Sequence, residues 1–300
     1  MVHEKGLAMV LRFGLVVSLG FLMIFGTVAG VGCIAGPAHA ETLQAETAAL
    51  GDLAGALKLD QLFEVLRAEG LAYGETLEAD MAVENSLGFW TGAVSAIYDE
   101  ETLRARFDAA LAAELGDDPA AVAEVLVFLT SDLGQRVVGL DIEARRTFLD
   151  IASEEAARVA ADDRTVERDP LVKQLRRIID AGDLLEMNVA AAMSANLAFM
   201  TGMSDSGIYG DGMPQEDILA DVWAEESNLR DSSNLWLYAF LGLAYAPLSE
   251  VEMKAYVDFV ESPAGHRLNG ALYAAYGAVY RQVNYELGRA TGIALQSNAI

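Results

Sequence analysis

The chain has 300 residues, of which 53% are hydrophobic, with 45 Asp and Glu against 20 Lys and Arg and a formal net charge of −25. A field of that sign repels nucleic acid and anionic membrane surfaces, so nucleic-acid binding is excluded as a function class. One cysteine, Cys33, excludes a disulfide framework, and because Cys33, His3 and His39 fall in a segment that reads as a signal peptide, His266 alone remains in the mature chain, which excludes the usual Cys/His zinc sites.

At the N-terminus, Lys5 and Arg12 precede an uncharged, mostly apolar run from Phe13 to Gly36. Pro37 ends it, and Ala38-His39-Ala40 has the small-x-small form that signal peptidase reads. Residues 1–40 therefore read as a signal peptide cleaved after Ala40, which sends the mature chain to the periplasm or outside the cell. A retained anchor is the alternative, against which Gly20, Gly26, Gly30, Gly32 and Gly36 dilute the run. Lipidation of Cys33 is a third, although Gly30-Val31-Gly32 lacks the leucine that opens a lipobox. Cleavage removes Glu4, Lys5 and Arg12 and leaves 44 acidic against 18 basic residues, a net of −26, with His266 the sole histidine.

From residue 41 onward the chain reads as all-α. Ala, Leu and Glu dominate, strand-like alternation is absent, and the prolines at 119, 170, 214, 247 and 263 adjoin turn or cap residues. Helical spacing appears in Asp60, Leu62, Phe63, Leu66 and Arg67, and again in Leu175, Ile178, Ile179, Leu184 and Leu185. Amphipathic segments are predicted near 101–115, 119–130, 133–161, 171–200, 215–242, 249–261 and 263–295, and none approaches a bilayer span.

The strongest internal pattern is a repeat. Phe128-x-x-Ser131-x-x-Gly134-x-Arg136 recurs as Phe259-x-x-Ser262-x-x-Gly265-x-Arg267. Upstream of each copy lies a tryptophan, Trp90 and Trp223, and Leu62 to Ala68 resembles Leu175 to Ala181 in apolar pattern. The same order of features predicts two related helical halves, 41–165 and 166–300. Ser262 before Pro263 is the cap-then-first-turn order of a helix start, and Ser131-Asp132 offers the same oxygen. The motif thus reads as a structural helix–cap–helix corner. Its phenylalanine ends one helix, its glycine allows close approach, and its arginine reaches carboxylates or carbonyls at the corner.

The run from Leu248 through Ser249, Glu250, Tyr256, Phe259 and Ser262-Pro263-Ala264-Gly265 resembles the bacterial domain-of-unknown-function 2059 family, clearest over 248–280. The resemblance implies an exported, all-helical envelope protein and brings no catalytic residues. Asp132-Leu133 stands in the first copy where that family pattern has proline.

Catalytic chemistry has little to work with. His266 would need a carboxylate such as Glu261, and its place beside Arg267 suits a solvated surface residue. The acid pairs Asp117-Asp118, Glu154-Glu155 and Glu225-Glu226 read as caps or solvated faces, while a carboxylate-only acid–base pair stays open among so many acids. Asp205 to Glu216 has the Asp, Gly and Glu spacing of a calcium loop. Gly207 and Tyr209 stand where two ligands should be, so it reads as an inter-helical loop. Aromatics cluster late, at Trp236, Tyr238, Phe240, Tyr245, Tyr256 and Tyr285, with Tyr273, Tyr276 and Tyr280 on one helix face; the group reads as core packing between the last helices, with a partner-binding stripe at Tyr273, Tyr276 and Tyr280 as the alternative. The expectation is a non-enzymatic binding protein of the cell envelope, without cofactor or metal, whose partner is an unidentified protein or small ligand. A carboxylate-dependent envelope hydrolase is the alternative.

Overall fold

A computed structural model describes residues 48–80, 88–210 and 212–298; the predicted signal peptide, with Cys33, lies outside them. Among the described residues there is no strand, and the protein is all-α. A helical segment at 48–56 is followed by α1 (Leu59–Asp80), α2 (Phe89–Ile97), α3 (Glu100–Leu115), α4 (Pro119–Leu129), α5 (Asp132–Phe148) and α6 (Ile151–Glu167). Then come α7 (Pro170–Ala181), α8 (Leu184–Asp205), α9 (Gln215–Ala224), α10 (Glu226–Tyr245), α11 (Glu250–Val260) and α12 (Pro263–Asn298).

Local chemistry sets most of the starts. Asp99, Asp118, Ser131, Asp150, Asp169 and Ser249 each accept a backbone N–H of the helix they open. Pro119 and Pro170 occupy first turns, where a missing N–H costs nothing. Three predicted segments are each two helices. The 133–161 segment breaks at Leu149-Asp150, where Asp150 caps α6; 215–242 breaks at Glu225; 171–200 breaks at Gly182-Asp183, where Asp183 has φ +50°. In all three the apolar periodicity runs on through the corner, so periodicity alone joins what the backbone separates.

Two hydrophobic cores result. One gathers α1 to α4, α9 and the end of α8 around α12, through Leu268, Leu272, Tyr276, Val279, Val283 and Leu287. The other gathers α7, α10 and α11. Helix α5 lies between them, with Val138 and Ile142 in the first core and Val137 and Ala144 in the second. The α8–α12 crossing is close because Gly202 and Gly288 face it. A Cβ at Gly202 would stand 2.1 Å from the Tyr285 carbonyl oxygen, and one at Gly288 2.0 Å from that of Phe199. Among the described residues no helix is long and apolar enough to cross a membrane.

Candidate functional site

The repeated motif forms two corners that meet. Ser131 Oγ accepts the Gly134 N–H at 3.0 Å and donates to the Phe128 carbonyl at 2.6 Å; Ser262 does the same for Gly265 at 3.0 Å and Phe259 at 2.7 Å. At Gly134 a Cβ would lie 2.1 Å from the Phe128 oxygen, so the glycine clears the end of its own preceding helix rather than a neighbour. The Phe128 and Phe259 rings stack on each other, centroids 3.8 Å apart and 7° from parallel.

Each arginine leaves its own corner for one elsewhere. Arg136 donates to the Pro247 carbonyl at 2.7 Å and to Glu252, itself engaged in the Ser249 capping box. Arg267 donates to the Glu114 carbonyl and pairs with Asp118, the α4 cap, at 3.6 Å. Pro263 opens α12 beside this contact. The two tryptophans, by contrast, differ. Trp90 is 1% exposed, with its indole N–H on the Gly74 carbonyl at 2.9 Å, whereas Trp223 is 66% exposed.

The tyrosine stripe of α12 packs into and against the first core. Tyr276 is 1% exposed and packs edge-on to Phe107 at 5.0 Å, because α12 is wrapped by the first core. Tyr273 donates its hydroxyl to the Met187 carbonyl, and burial pushes its pKa up to about 12. Tyr280 is half-buried against Tyr276. Trp236, Phe240 and Tyr245 of the same aromatic group are core as well.

Beside this stripe lies a polar cluster that the sequence reading missed. Asp141 is 4% exposed and Arg145 2%, and Arg145 stands 3.5 Å from Glu69 of α1. Arg145 also lies over the Phe240 ring, 5.8 Å from its centroid. Burial opposes the charge on Arg145, but Glu69 with the neighbouring tyrosines and Asp141 outweighs it and raises its pKa. Burial likewise raises Glu69 against the pull of Arg145. A signal did exist: Asp141 and Arg145 fall in the apolar register of Val137, Val138, Ile142 and Ala144, and Glu69 in that of Leu62, Val65, Leu66 and Tyr73.

A groove of about 550 Å³ opens between α6, α7 and α10. Helix α6 buries only Ala157 among its described residues and presents Glu155, Arg158, Asp162 and Thr165 to the groove. Helix α7 adds Val172 and Arg176, and α10 adds Asn234, Leu235 and Tyr238. Leu235 is 53% exposed, and Tyr238 beside Arg176 raises the guanidinium's pKa. The groove thus has an apolar floor, two guanidiniums and two carboxylates, a mixture suited to orienting a ligand that carries both charges.

The remaining sequence candidates are engaged elsewhere. Glu261, the carboxylate proposed for His266, is held by Arg177 at 2.9 and 2.7 Å. Asp118 caps α4, Glu154 pairs with Arg158 at 2.6 Å, and Glu226 with Arg230 at 2.8 Å. Asp205 ends α8 and accepts from the Tyr285 hydroxyl at 2.9 Å, while Glu216 lies in the first turn of α9. Among the described residues no group of three His, Cys, Asp or Glu stands close enough to hold a metal ion.

No family model, no curated protein and no solved structure matches the chain.

Proposed function

We infer that the protein is an exported binding protein of the cell envelope, and that the groove between α6, α7 and α10 holds its ligand. The groove carries this reading. Its volume of about 550 Å³ lies within the roughly 300–1,000 Å³ of small-ligand sites. Arg158 and Arg176 provide for a carboxylate, Glu155 and Asp162 for an amine, and Leu235 with Tyr238 for an apolar body between them. A short peptide with free termini has that chemistry. The signal-like segment 1–40 and the family resemblance over 248–280 support export. The like-for-like corners at Ser131 and Ser262 support an origin in two related halves.

The test is equilibrium dialysis of the mature protein against a mixed pool of short peptides, read by mass spectrometry. Wild type should enrich a subset that Arg176→Glu and Leu235→Asp lose while melting at the wild-type temperature. Equal enrichment by wild type and Arg176→Glu would remove the groove as the site. Export is tested separately by N-terminal sequencing from the soluble envelope fraction, which should begin at Glu41; a chain beginning at Met1 in the membrane pellet would overturn it.

A further inference from the structure

Three charged side chains share the junction between the two cores: Glu69 on α1, and Asp141 and Arg145 one turn apart on α5. Two carboxylates face one guanidinium. With Glu69 at 3.5 Å, Arg145 balances one negative charge, and a second would stand in the core uncompensated. The other groups facing Asp141 are phenols: Tyr245 on α10, Tyr256 on α11 and Tyr276 on α12, while Tyr280 of α12 faces Glu69 and Arg145. Burial raises the pKa of each, so they bring no charge near neutral pH. Lys58, before α1, is bonded to the Gln135 carbonyl at 3.1 Å.

Tyr245 turns its hydroxyl toward Asp141 but shares it with Tyr256 at 3.0 Å, and neither Asp141 oxygen has a partner at ordinary hydrogen-bond distance and angle among the described residues. A cavity of about 10 Å³, lined by Asp141, Arg145, Tyr276 and aliphatic side chains, adjoins it. That is room for about one water at most, too little to solvate an anion.

We propose that this junction is a proton-binding site, that Asp141 takes the proton, and that its occupancy sets how firmly α5 is held between the two cores. The proton comes from solvent and joins a carboxylate oxygen. The acid is then neutral, the Glu69–Arg145 pair is balanced, and both faces of α5 stay packed. On release, a second buried carboxylate stands beside Glu69 and favours opening of the junction to water. Burial pushes the Asp141 pKa up to about 7 from its ordinary 3.8, against the pull of Tyr245 and Arg145. The folded chain therefore holds this proton over a range where the unfolded chain has lost it. This group's contribution to stability falls as pH rises through that range and is constant above it.

Urea denaturation of the mature chain between pH 5 and 8.5, paired with infrared detection of protonated carboxyl groups, tests the site. Across the window, Asp141 should lower the folded-to-unfolded ratio by up to tenfold per pH unit relative to Asp141→Asn. That variant should outlast wild type in urea at pH 8. A carboxylic-acid band present at pH 6 should fade with a midpoint near 7 and be absent in Asp141→Asn. Glu69→Gln frees Arg145 for Asp141 and should move the midpoint to lower pH. Should Asp141→Asn fail to fold, the infrared titrations of wild type and Glu69→Gln decide alone. A wild type without a carboxyl group titrating between pH 6 and 8, or a band that survives in Asp141→Asn, would overturn the proposal.

Discussion

The two motif corners and the junction on α5 solve opposite problems with the same kinds of group. At the corners the polar atoms of the cap are satisfied at close range: a serine oxygen serves an N–H three residues on and a carbonyl three residues back. At the junction, Asp141 is more deeply buried, and no donor among the described residues reaches it with ordinary hydrogen-bond geometry. The difference is one of sequence distance. A cap is specified within four residues, whereas the fit of Glu69 to Arg145 depends on α1 and α5 meeting across 76 positions. Local chemistry closes its own account in the chain; long-range chemistry leaves a residue of charge that the fold must tolerate.

The largest test of this contrast is Arg145→Ala. It removes the cation shared by two buried carboxylates and should cost about 3–5 kcal/mol, more at pH 8 than at pH 6, read by urea denaturation. A loss under 1 kcal/mol would mean that the junction is wet.

The ring pair comes next. Phe128 and Phe259 are half-buried, so truncating either to Ala should cost about 2–3 kcal/mol, below the value for a fully enclosed ring. A double-mutant cycle should return a coupling of about 0.5–1.5 kcal/mol from their stacking. Additive losses would show that the rings do not support each other.

Ser131→Ala and Ser262→Ala should each cost about 1 kcal/mol, with nearly equal values because their bonds are alike. Unequal values would break the likeness between the corners. The smallest effect is expected at Trp223, where Trp223→Phe should stay within about 0.5 kcal/mol. Trp90→Phe removes a buried indole bond to the Gly74 carbonyl and leaves a gap in the first core, and should lose more than that in the same assay.

What could be read from the sequence follows the same division. The all-α class, the caps at Asp118, Ser131 and Asp169 and the proline starts were legible, since each depends on neighbours a few positions apart. The corner at Asp183 was not, because a left-handed aspartate leaves no compositional mark. The Tyr276 stripe was legible as a helix face, but which helices cover it was not, since periodicity says which residues align and not what covers them. The groove was invisible for the reverse reason: its walls are ordinary exposed residues of three helices, and only their packing makes a concavity.

Helix α12 has a consequence for the order of assembly. Its 36 residues make a rod about 54 Å long, and its apolar side supplies the centre against which α1 to α4 pack. Those helices leave the ribosome more than a hundred residues before Leu268 does. During synthesis their inward faces have only one another to pack on until α12 follows. Such contacts between distant segments slow folding and prolong exposure of apolar surface. A nascent chain of this design therefore stays pliable until α12 has been made, a state in which a chaperone has the most to hold.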